Sequence, residues 1–448
     1  MRPFRTAIVA LVALTAGCAS TEVLEPQTRP VAAEAPREAA RQPEQSVPRR
    51  ESVLDAQDGR DLMRTDRGSG TETRIDADAS ITRRSADPSA AEPSPAMVPA
   101  PRPAPEDASG SLTPRRALVR PGTPIELAVR ARAGHGPLSI VLLDRAGRVV
   151  DRMSVAPGTV DLTPLASTLD RLDRAVWLQL REGERSIGSP VWCVPLRAAP
   201  PVRTVRSIRA SNQQPYLRVV GWGDRASNPA DPETSAALPN WTAADPVVTA
   251  GFRLERAVDA VLVTEAGPIR VSFAPDAAPA TVDNFLRLAR EGFYEGTIFH
   301  RVVPLDRDGR PFVVQGGDPT GTGDGGPGWN LALEPSDLPH DRGVLGMARG
   351  DEPHSAGSQF YVSLSREGTA RLDGQYCTFA AMVDGWDALD RIAAGAIGDA
   401  TTGRPAVPVR IERVELMPAP PRDLGPWWAG PPKPPAPEPV SPSPSPTR

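Results

Sequence analysis

Two polar side chains stand at the edges of short apolar runs in the segment FHRVVPLDRDGRPFVVQGGDP, residues 299–319. Arg301 precedes one pair of valines, and Gln315 follows another pair. A guanidinium is a permanent cation with a rigid fork of donors, and a glutamine amide both donates and accepts hydrogen bonds. Beside an apolar slot, this pair could hold and polarise a peptide backbone. The alternatives are structural: Arg301 could pair with Asp318 or Glu334, and Gln315 could satisfy a neighbouring loop.

These side chains lie in residues 252–417, the most densely patterned part of the chain. APATVDNFLRLAREGFYEG predicts a helix with one apolar face, and WDALDRIAAG predicts a second amphipathic helix. Strands are predicted in AVLVTEAGPIRVSFAP (two), GTIFHRVVP, PFVVQGGDP, GVLGMAR, SQFYVSLS, YCTFAAMV and PVRIERVEL. Many strands with a helix near each end predict a mainly β fold, a closed antiparallel β-barrel capped by two helices.

The motifs of this region resemble those of the cyclophilins, a family of peptidyl-prolyl cis-trans isomerases. FHRVVP, FVVQGGDPTGTG, GVLGMAR, GSQFYVSLS and LDGQYCTFAAMVDGWDALDRI occur in the family's order and near its spacings. ATVDNFLRLAREGFYEGTIFHRV is similar to the family's opening helix and strand. The resemblance covers residues 252–417, a little over a third of the chain.

The resemblance implies a role for each matching residue. It implies the catalytic residues Arg301, Gln315 and Phe312, with Gln315 bound to the substrate backbone. It implies a substrate groove formed by Phe312, Val313, Met347, Ala348, Arg349, Gln359, Tyr361, Leu372 and Tyr376. Tyr376 stands where many members have His. The implied partners are proline-containing polypeptides, and the resemblance implies no metal or other cofactor.

The chemistry of prolyl isomerisation suits these residue types. Rotation about an X–Pro bond must cross a barrier of about 18–20 kcal/mol because amide resonance is lost. No bond is made or broken, so neither a nucleophile nor a general base is required. A catalyst needs an apolar slot for the proline ring and a donor directed at the twisted amide. Arg301 suits the donor role, and Gln315 can hold the backbone so that only one side rotates.

The chain departs from the family pattern at three places. LDRDGRP, residues 305–311, is an insertion beside the expected pocket and makes that loop longer and charged. Val313 replaces a common Met, which shortens one pocket wall. Arg371 replaces the usual Trp or Phe, which adds positive charge at the rim and is expected to weaken cyclosporin binding. These changes predict altered peptide access, and both full and lowered catalytic efficiency stay open.

The first residues, MRPFRTAIVALVALTAGCAS, read as a targeting segment. Arg2 and Arg5 precede an apolar run over residues 7–16 that is too short to span a bilayer. The TAGC sequence that ends at Cys18 resembles the lipobox of bacterial lipoproteins, in which this cysteine carries the lipid. An ordinary secretory signal cleaved near Ala19 is the alternative. A lipidated Cys18 predicts membrane attachment in the cell envelope.

The residues after Cys18 predict which membrane holds the chain. Ala19 and Ser20 lack the Asp that tends to retain such lipoproteins at an inner membrane. The outer membrane is therefore the expected location, and secretion is the alternative.

Composition divides the rest of the chain into further regions. Residues 19–110 are rich in Ala, Pro and charge without apolar periodicity, which predicts a disordered linker. Residues 111–198 contain several short strands with turn signals, which predict a small Ig-like β-sandwich. Residues 199–251 read as an inter-domain segment in which PYLRVVGW adds a strand, and residues 418–448 read as a proline-rich solvated tail.

Charge and cysteine content exclude some classes of function. The net charge of −4 and the lack of a basic stripe argue against nucleic-acid binding. Cys193 and Cys377 are expected to be buried free thiols, with a disulfide as the alternative. Two functions stay open: an envelope prolyl isomerase for exported proteins, and a non-catalytic module that binds proline-containing peptides.

Overall fold

The computed structural model describes residues 109–197, 200–208, 213–223, 225–227, 250–428 and 430–431. The predicted targeting segment with Cys18, the predicted linker up to residue 108 and the last part of the proline-rich tail lie outside the described residues. Within the described ranges, every helix is too short or too polar to cross a membrane.

The described chain is mainly β. The strands before the barrel are β1 (Gly110–Pro114), β2 (Leu118–Val119), β3 (Glu126–Ala131), β4 (Leu138–Leu143), β5 (Val149–Val155), β6 (Gly158–Asp161), β7 (Val176–Glu182), β8 (Arg185–Ser186), β9 (Val191–Pro195), β10 (Val202–Ile208), β11 (Pro215–Trp222), β12 (Arg225–Ala226) and β13 (Phe252–Arg256). The later strands are β14 (Val258–Thr264), β15 (Gly267–Phe273), β16 (Arg301–Leu305), β17 (Pro311–Gly316), β18 (Val344–Met347), β19 (Phe360–Ser363), β20 (Thr378–Asp384), β21 (Ile397–Asp399), β22 (Arg404–Pro405) and β23 (Ile411–Pro418). The α-helices are α1 (Ala166–Leu169), α2 (Pro279–Arg290), α3 (Arg366–Thr369) and α4 (Trp386–Ala393), and 3₁₀ turns cover Thr163–Leu165 and Ala370–Leu372.

The first domain is the predicted β-sandwich. One sheet has the order β1-β3-β6, and the other has the order β2-β13-β9-β7-β4-β5 with β8 beside β7. Leu127 and Val129 of β3 share a buried cluster with Ile140 and Leu142 of β4. Alternation along each strand therefore supplies the apolar faces of the two sheets.

Strand β13 moves the boundary between the two main domains. From the sequence alone, residues 252–256 fall in the barrel region, without a predicted strand there. In the structure, β13 pairs with β9 and β2 of the sandwich. Phe252 and Leu254 alternate into the sandwich core, which accounts for the pairing. The chain then enters the barrel at Val258, directly after Ala257.

Part of the predicted inter-domain segment forms a third sheet of β10, β11 and β12. The predicted strand PYLRVVGW is confirmed as β11. The side-chain amide of Gln375 docks this sheet on the barrel region. Its Nε2 donates to the carbonyl of Val219 at 2.7 Å, and its Oε1 accepts from the Val219 N–H at 3.1 Å. One glutamine thus binds both backbone groups of Val219, at a point of β11 that the short strand β12 does not reach.

The second domain is the predicted antiparallel barrel. Its eight strands have the order β16-β17-β19-β18-β20-β15-β14-β23. Hydrogen bonds between the residues just before β16 and those at or just before the start of β23 close the sheet. The Phe299 N–H donates to the Val409 carbonyl at 2.9 Å, and the Ile411 N–H donates to the Thr297 carbonyl at 2.7 Å. Helices α2 and α4 contribute buried apolar faces to the barrel core, so the predicted fold class is confirmed.

Helix α2 starts at a proline and is capped by a remote carboxylate. Pro279 suits the first turn because its missing N–H would be unpaired there. The buried Glu334 accepts from the N–H groups of Ala280 at 2.9 Å and Thr281 at 2.7 Å. Burial raises the pKa of Glu334, and these donors oppose the shift. Both oxygens of its carboxylate thus cap the first turn of the helix.

Both cysteines of the described chain are buried free thiols, as predicted. Cys193 belongs to the sandwich core, and Cys377 belongs to the barrel core near Thr281. Burial raises the pKa of Cys193 to about 12 and also raises the pKa of Cys377. Neither thiol has the thiolate character that a reactive cysteine needs.

Charged side chains join the sandwich and the barrel. Arg145 and Arg174 of the sandwich contact Asp337 of the barrel at 2.7 and 2.5 Å, and Arg145 lies 3.4 Å from Asp276. Burial raises the pKa of Asp276 to about 6. Burial also acts to raise the pKa of Asp337, but the two arginines outweigh it and lower that pKa.

Residues 419–428 follow β23 and form a strap across the two domains, although the sequence predicts a solvated tail from residue 418 onward. The Arg422 guanidinium carbon lies 4.2 Å from the centre of the Trp177 ring, and its Nη2 donates to two carbonyls of the β4–β5 turn. The Arg422 N–H donates to Gln179 at 2.8 Å. Trp428 Nε1 donates to the Met382 carbonyl at 3.0 Å. These bonds attach the strap to both the sandwich and the barrel.

We expect Arg422→Ala to lower the free energy of unfolding by about 2–3 kcal/mol, because it removes two charge-assisted hydrogen bonds to the β4–β5 turn and a cation from the Trp177 ring. The matched control is Arg413→Ala, since Arg413 is 45% exposed and pairs with Glu415. The control should change stability by less than about 0.5 kcal/mol. Urea unfolding followed by tryptophan fluorescence measures both. Equal midpoints for the two variants would contradict the strap.

Candidate active site

Arg301 and Gln315 face each other across neighbouring strands. They are direct partners in the antiparallel register of β16 and β17, and both are buried. The next pair in the register, Val302 and Val314, belongs to the barrel core. Because side chains alternate between the faces of a strand, the valines anchor the strands inside while Arg301 and Gln315 point to the other face.

An apolar cluster separate from the barrel core lies on the same side as this pair. Its buried members are Phe312, Val313, Ala348, Tyr361, Leu372 and Tyr376, and Val303 packs against them. Val303 is the register partner of Val313, two residues along from the Arg301–Gln315 pair. The structure therefore brings an apolar pocket next to the two polar residues.

Met347 is the exception among the predicted pocket residues. It packs in the barrel core, whereas the adjacent Ala348 joins the pocket cluster. The alternation along β18 explains the difference, because neighbouring side chains leave opposite faces of a strand. The structure thus separates Met347 from the residues with which the family motif groups it.

Gln359 sets the orientation of the Gln315 amide. Its Nε2 donates to the carbonyls of Gly323 and Gly325, both at 2.8 Å. Its Oε1 is then left to accept from Gln315 Nε2 at 3.0 Å. The glycine-rich loop thereby fixes both amides, and Gln315 Oε1 makes no hydrogen bond to any residue in the described ranges.

The glycine-rich loop also lines a cavity of about 440 Å³ beside the groove. Ala348, Arg349 and Gln359 form its other wall. The carboxylate of Asp318 shapes the start of the loop by accepting from Thr320 N–H at 2.8 Å and from Gly323 N–H at 2.5 Å. Both carboxylate oxygens of Asp318 therefore hold the start of its own loop.

A buried histidine supports the pocket wall at Tyr361. His340 Nε2 lies 2.7 Å from the Tyr361 hydroxyl, and the two rings stack with an angle of 10°. His340 Nδ1 lies 2.8 Å from Asp373, which also pairs with Arg366 at 2.6 Å. The carboxylate fixes the tautomer in which Nδ1 donates, so Nε2 accepts from the tyrosine. This network was absent from the sequence-based site because its members lie far apart in the chain.

Arg349 and Tyr376 close the opposite side of the pocket. The Arg349 guanidinium carbon lies 4.8 Å from the centre of the Tyr376 ring. Arg349 also donates to the carbonyls of Gln375 at 3.2 Å and Gly350 at 2.9 Å. The Ala348 N–H is already bonded to the Gln359 carbonyl at 2.9 Å. Backbone binding of a peptide at these residues stays a prediction from the motif.

The inserted loop is an ordered turn built around Asp306. Its buried carboxylate accepts from the N–H groups of Asp308 and Arg310, both at 2.9 Å. The same carboxylate pairs with Arg371 at 3.0 Å. The Arg371 guanidinium carbon lies 4.3 Å from the centre of the Phe312 ring. Two of the three departures from the family pattern, the insertion and Arg371, thus contact each other over the pocket.

Comparisons with known proteins agree with this fold. The family model described as cyclophilin type peptidyl-prolyl cis-trans isomerase/CLD matches residues 260–416. A peptidyl-prolyl cis-trans isomerase of Synechococcus elongatus is 44% identical over 125 residues, which cover 28% of this chain and 80% of that protein. The peptidyl-prolyl cis-trans isomerase ppi1 of Schizosaccharomyces pombe is 41% identical over 155 residues, which cover 34% of this chain and 93% of that protein. Peptidyl-prolyl cis-trans isomerase B of Bacillus subtilis is 38% identical over 138 residues, which cover 30% of this chain and 90% of that protein.

A crystal structure of a cyclophilin-type isomerase from Cryptosporidium parvum, in the presence of the dipeptide Ala-Pro, is also similar. Its identity is 30%, it covers 36% of this chain and 98% of its own, and the TM-score is 0.32. With the barrel, the pocket and the identities in hand, the chain belongs to the cyclophilin-type peptidyl-prolyl cis-trans isomerase family. The matching domain is the barrel, and the family model leaves the β-sandwich unmatched.

The buried His340 predicts a pH dependence of stability. Burial lowers the pKa of His340 below 6.5, although Asp373 opposes the shift. The unfolded chain therefore takes up a proton below pH 6.5 that the folded chain does not, and stability falls as the pH falls through this window. The loss approaches about 1.4 kcal/mol per pH unit below the unfolded pKa.

We expect His340→Gln to be less stable than the wild type at pH 7.5 but to lose less stability between pH 7.5 and 5.5. Urea unfolding at the two pH values measures both changes. The difference between the proteins isolates His340, because all other titrating groups are shared. Parallel losses in the two proteins would contradict a neutral buried His340.

Proposed function

We propose that the barrel catalyses cis–trans isomerisation of X–Pro bonds in polypeptides. The observation that carries this proposal is the register of Arg301 with Gln315 beside a pocket formed by Phe312 and its neighbours. The proline ring occupies the apolar pocket. Gln315 holds the backbone, and Arg301 stands beside the bond that rotates.

Arg301 supplies the stabilisation that the reaction needs. As the amide twists, its resonance is lost and the lone pair localises on the prolyl nitrogen. A guanidinium N–H can donate to that lone pair, and a preorganised donor in a water-poor site contributes about 3–4 kcal/mol. Arginine keeps its charge at any physiological pH, so this role needs no proton transfer. Rotation then proceeds without a covalent intermediate.

We expect Arg301→Ala to lower kcat/KM at least tenfold for a proline tetrapeptide, because the donor to the prolyl nitrogen is lost (tenfold is about 1.4 kcal/mol). Arg413→Ala, a surface change of the same charge, should leave kcat/KM unchanged. The full chain is used, because β13 and the strap tie the barrel to the sandwich. The proposal fails if the wild type does not exceed the uncatalysed rate.

A second candidate is a binding module without catalysis. The position of Arg371 over the Phe312 ring favours it, because the guanidinium covers part of the expected proline pocket. Peptide binding that persists in Arg301→Ala, with no rotation catalysis in either protein, would support this candidate. Intact Arg301, Phe312 and Gln315 favour the enzyme, since binding alone does not require the arginine.

We propose further that a lipid on Cys18 anchors the chain at the outer membrane, where the isomerase assists the folding of exported proteins. The support is the sequence before Ala19: an apolar run, two small residues and the cysteine. The predicted linker would hold the folded domains roughly 50–60 Å from the membrane surface.

We expect labelled fatty acid to appear on the wild-type chain and to be absent from Cys18→Ser in a bacterial host with lipoprotein processing. Cys193→Ser is the matched control and should keep the label, because Cys193 is buried in the sandwich. Separation of inner and outer membranes by density then locates the labelled chain. Equal labelling of wild type and Cys18→Ser would contradict the anchor, and an unlabelled secreted wild type would support the alternative signal.

A further inference from the structure

The pocket is covered by an arginine of its own rim. The Arg371 guanidinium carbon stands 4.3 Å from the centre of the Phe312 ring, and Phe312 itself is completely buried. Val313 and Tyr361 are also completely buried, and Leu372 is nearly so. A proline ring that packs on Phe312 must therefore displace the guanidinium or share the ring with it.

The inserted loop holds this arginine in place. Asp306 reaches Arg371 Nη1 at 3.0 Å, and the same guanidinium nitrogen donates to the Gly368 carbonyl. The carboxylate is itself positioned by the N–H groups of Asp308 and Arg310. Burial acts to raise the pKa of Asp306, but the hydrogen bonds from Arg310, Arg371 and Asp308 outweigh it and lower the pKa. Asp306 is thus an ionised, preorganised partner for the arginine.

We propose that Arg371 is a specificity-determining lid over the proline pocket, and that it makes the site prefer prolines with an acidic residue directly before them. This inference rests on the proposed isomerase function. When the lid opens, Arg371 loses its ring contact and its hydrogen bonds to Asp306 and to the Gly368 carbonyl. A carboxylate on the peptide beside the proline replaces Asp306 as the acidic partner, whereas a neutral residue supplies no negative charge in its place.

The charges around the pocket agree with this preference. Arg301 and Arg349 lie on the groove with Arg371, so the groove presents three cations. The carboxylates of the inserted loop, Asp306 and Asp308, both pair with Arg310. A basic residue before the proline would meet the displaced guanidinium and be repelled, and an acidic residue would be attracted.

The test uses three tetrapeptides that differ only in the residue before proline: Ala, Glu or Lys. For the full-length wild type we expect kcat/KM to be highest with Glu and lowest with Lys. Arg371→Ala should raise kcat/KM for the Ala peptide about two- to fivefold, which is the factor that corresponds to loss of one cation–π contact. It should also remove most of the difference between Glu and Lys.

Asp306→Asn keeps Arg371 but removes the negative charge that pairs with it. The asparagine oxygen can still accept from the loop N–H groups, but it no longer neutralises Arg371. We expect this variant to increase the ratio of kcat/KM for the Glu peptide to kcat/KM for the Lys peptide, whereas Arg371→Ala should decrease that ratio. A second lid variant, Arg371→Gln, keeps a side chain of similar length but no charge. It should also decrease the ratio of kcat/KM for Glu to kcat/KM for Lys.

The matched control is Arg342→Ala. Arg342 also lies over an aromatic ring, 5.5 Å from the centre of Trp386, and also pairs with a carboxylate, Asp390. It lies outside the groove, so its loss should leave the order of the three peptides unchanged. A wild type with equal kcat/KM for Glu and Lys, or an Arg371→Ala that keeps the preference, would overturn the lid.

If the wild type shows no catalysis, the proposed isomerase function fails, but the lid can still be tested by binding. The same three peptides are then titrated into wild type and Arg371→Ala, and their Kd values are compared by calorimetry. Preference for Glu in the wild type that disappears in the variant supports the lid. Equal Kd values for Glu and Lys in both proteins overturn it.

Discussion

The pairing of β16 with β17 is the constraint on which the site depends. The register that opposes Arg301 to Gln315 also opposes Val302 to Val314. The valines are held by the barrel core, so their burial fixes the register, and the register in turn fixes the polar pair. A slip by one residue would move the polar pair into the core and the valines into the groove. The register that packs the core is therefore also the register that positions the catalytic residues, because side chains alternate between the two faces of each strand.

The barrel is tied to the β-sandwich more closely than a linker would allow. Strand β13 completes the sandwich sheet one residue before the barrel begins, and the strap around Arg422 returns to the sandwich after the barrel ends. Sandwich residues Trp192 and Val141 share a buried cluster with barrel residues such as Phe273. The third sheet also reaches the barrel beside the pocket, where Gln375 binds Val219. The β-sandwich, which lacks the family's motifs, thus supports the barrel, which carries them.

Much of the fold and site could be predicted from sequence, and the failures have physical causes. Local periodicity predicts the strands of the barrel, and the family motifs place Phe312, Tyr361 and Leu372 in one pocket cluster. Met347 was grouped with them because a family motif gives only the position of a residue along the chain. The alternation of side chains along the strand decides which face Met347 lies on, and it lies in the barrel core. The domain boundary at residue 252 was misplaced because local sequence does not show which sheet a segment will join. The Asp306–Arg371 pair joins residues of a loop insertion to a distant turn, so neither periodicity nor the family pattern could reveal it.

The most direct test of the central claim is two-dimensional exchange NMR on a proline tetrapeptide with a small molar fraction of the full chain. Uncatalysed exchange takes tens to hundreds of seconds, so a sub-second mixing time shows no cross-peaks between cis and trans proline signals. The barrel with Arg301 beside its pocket predicts such cross-peaks in the presence of the protein. Broadened peptide signals without cross-peaks would mean binding without rotation and would contradict catalysis.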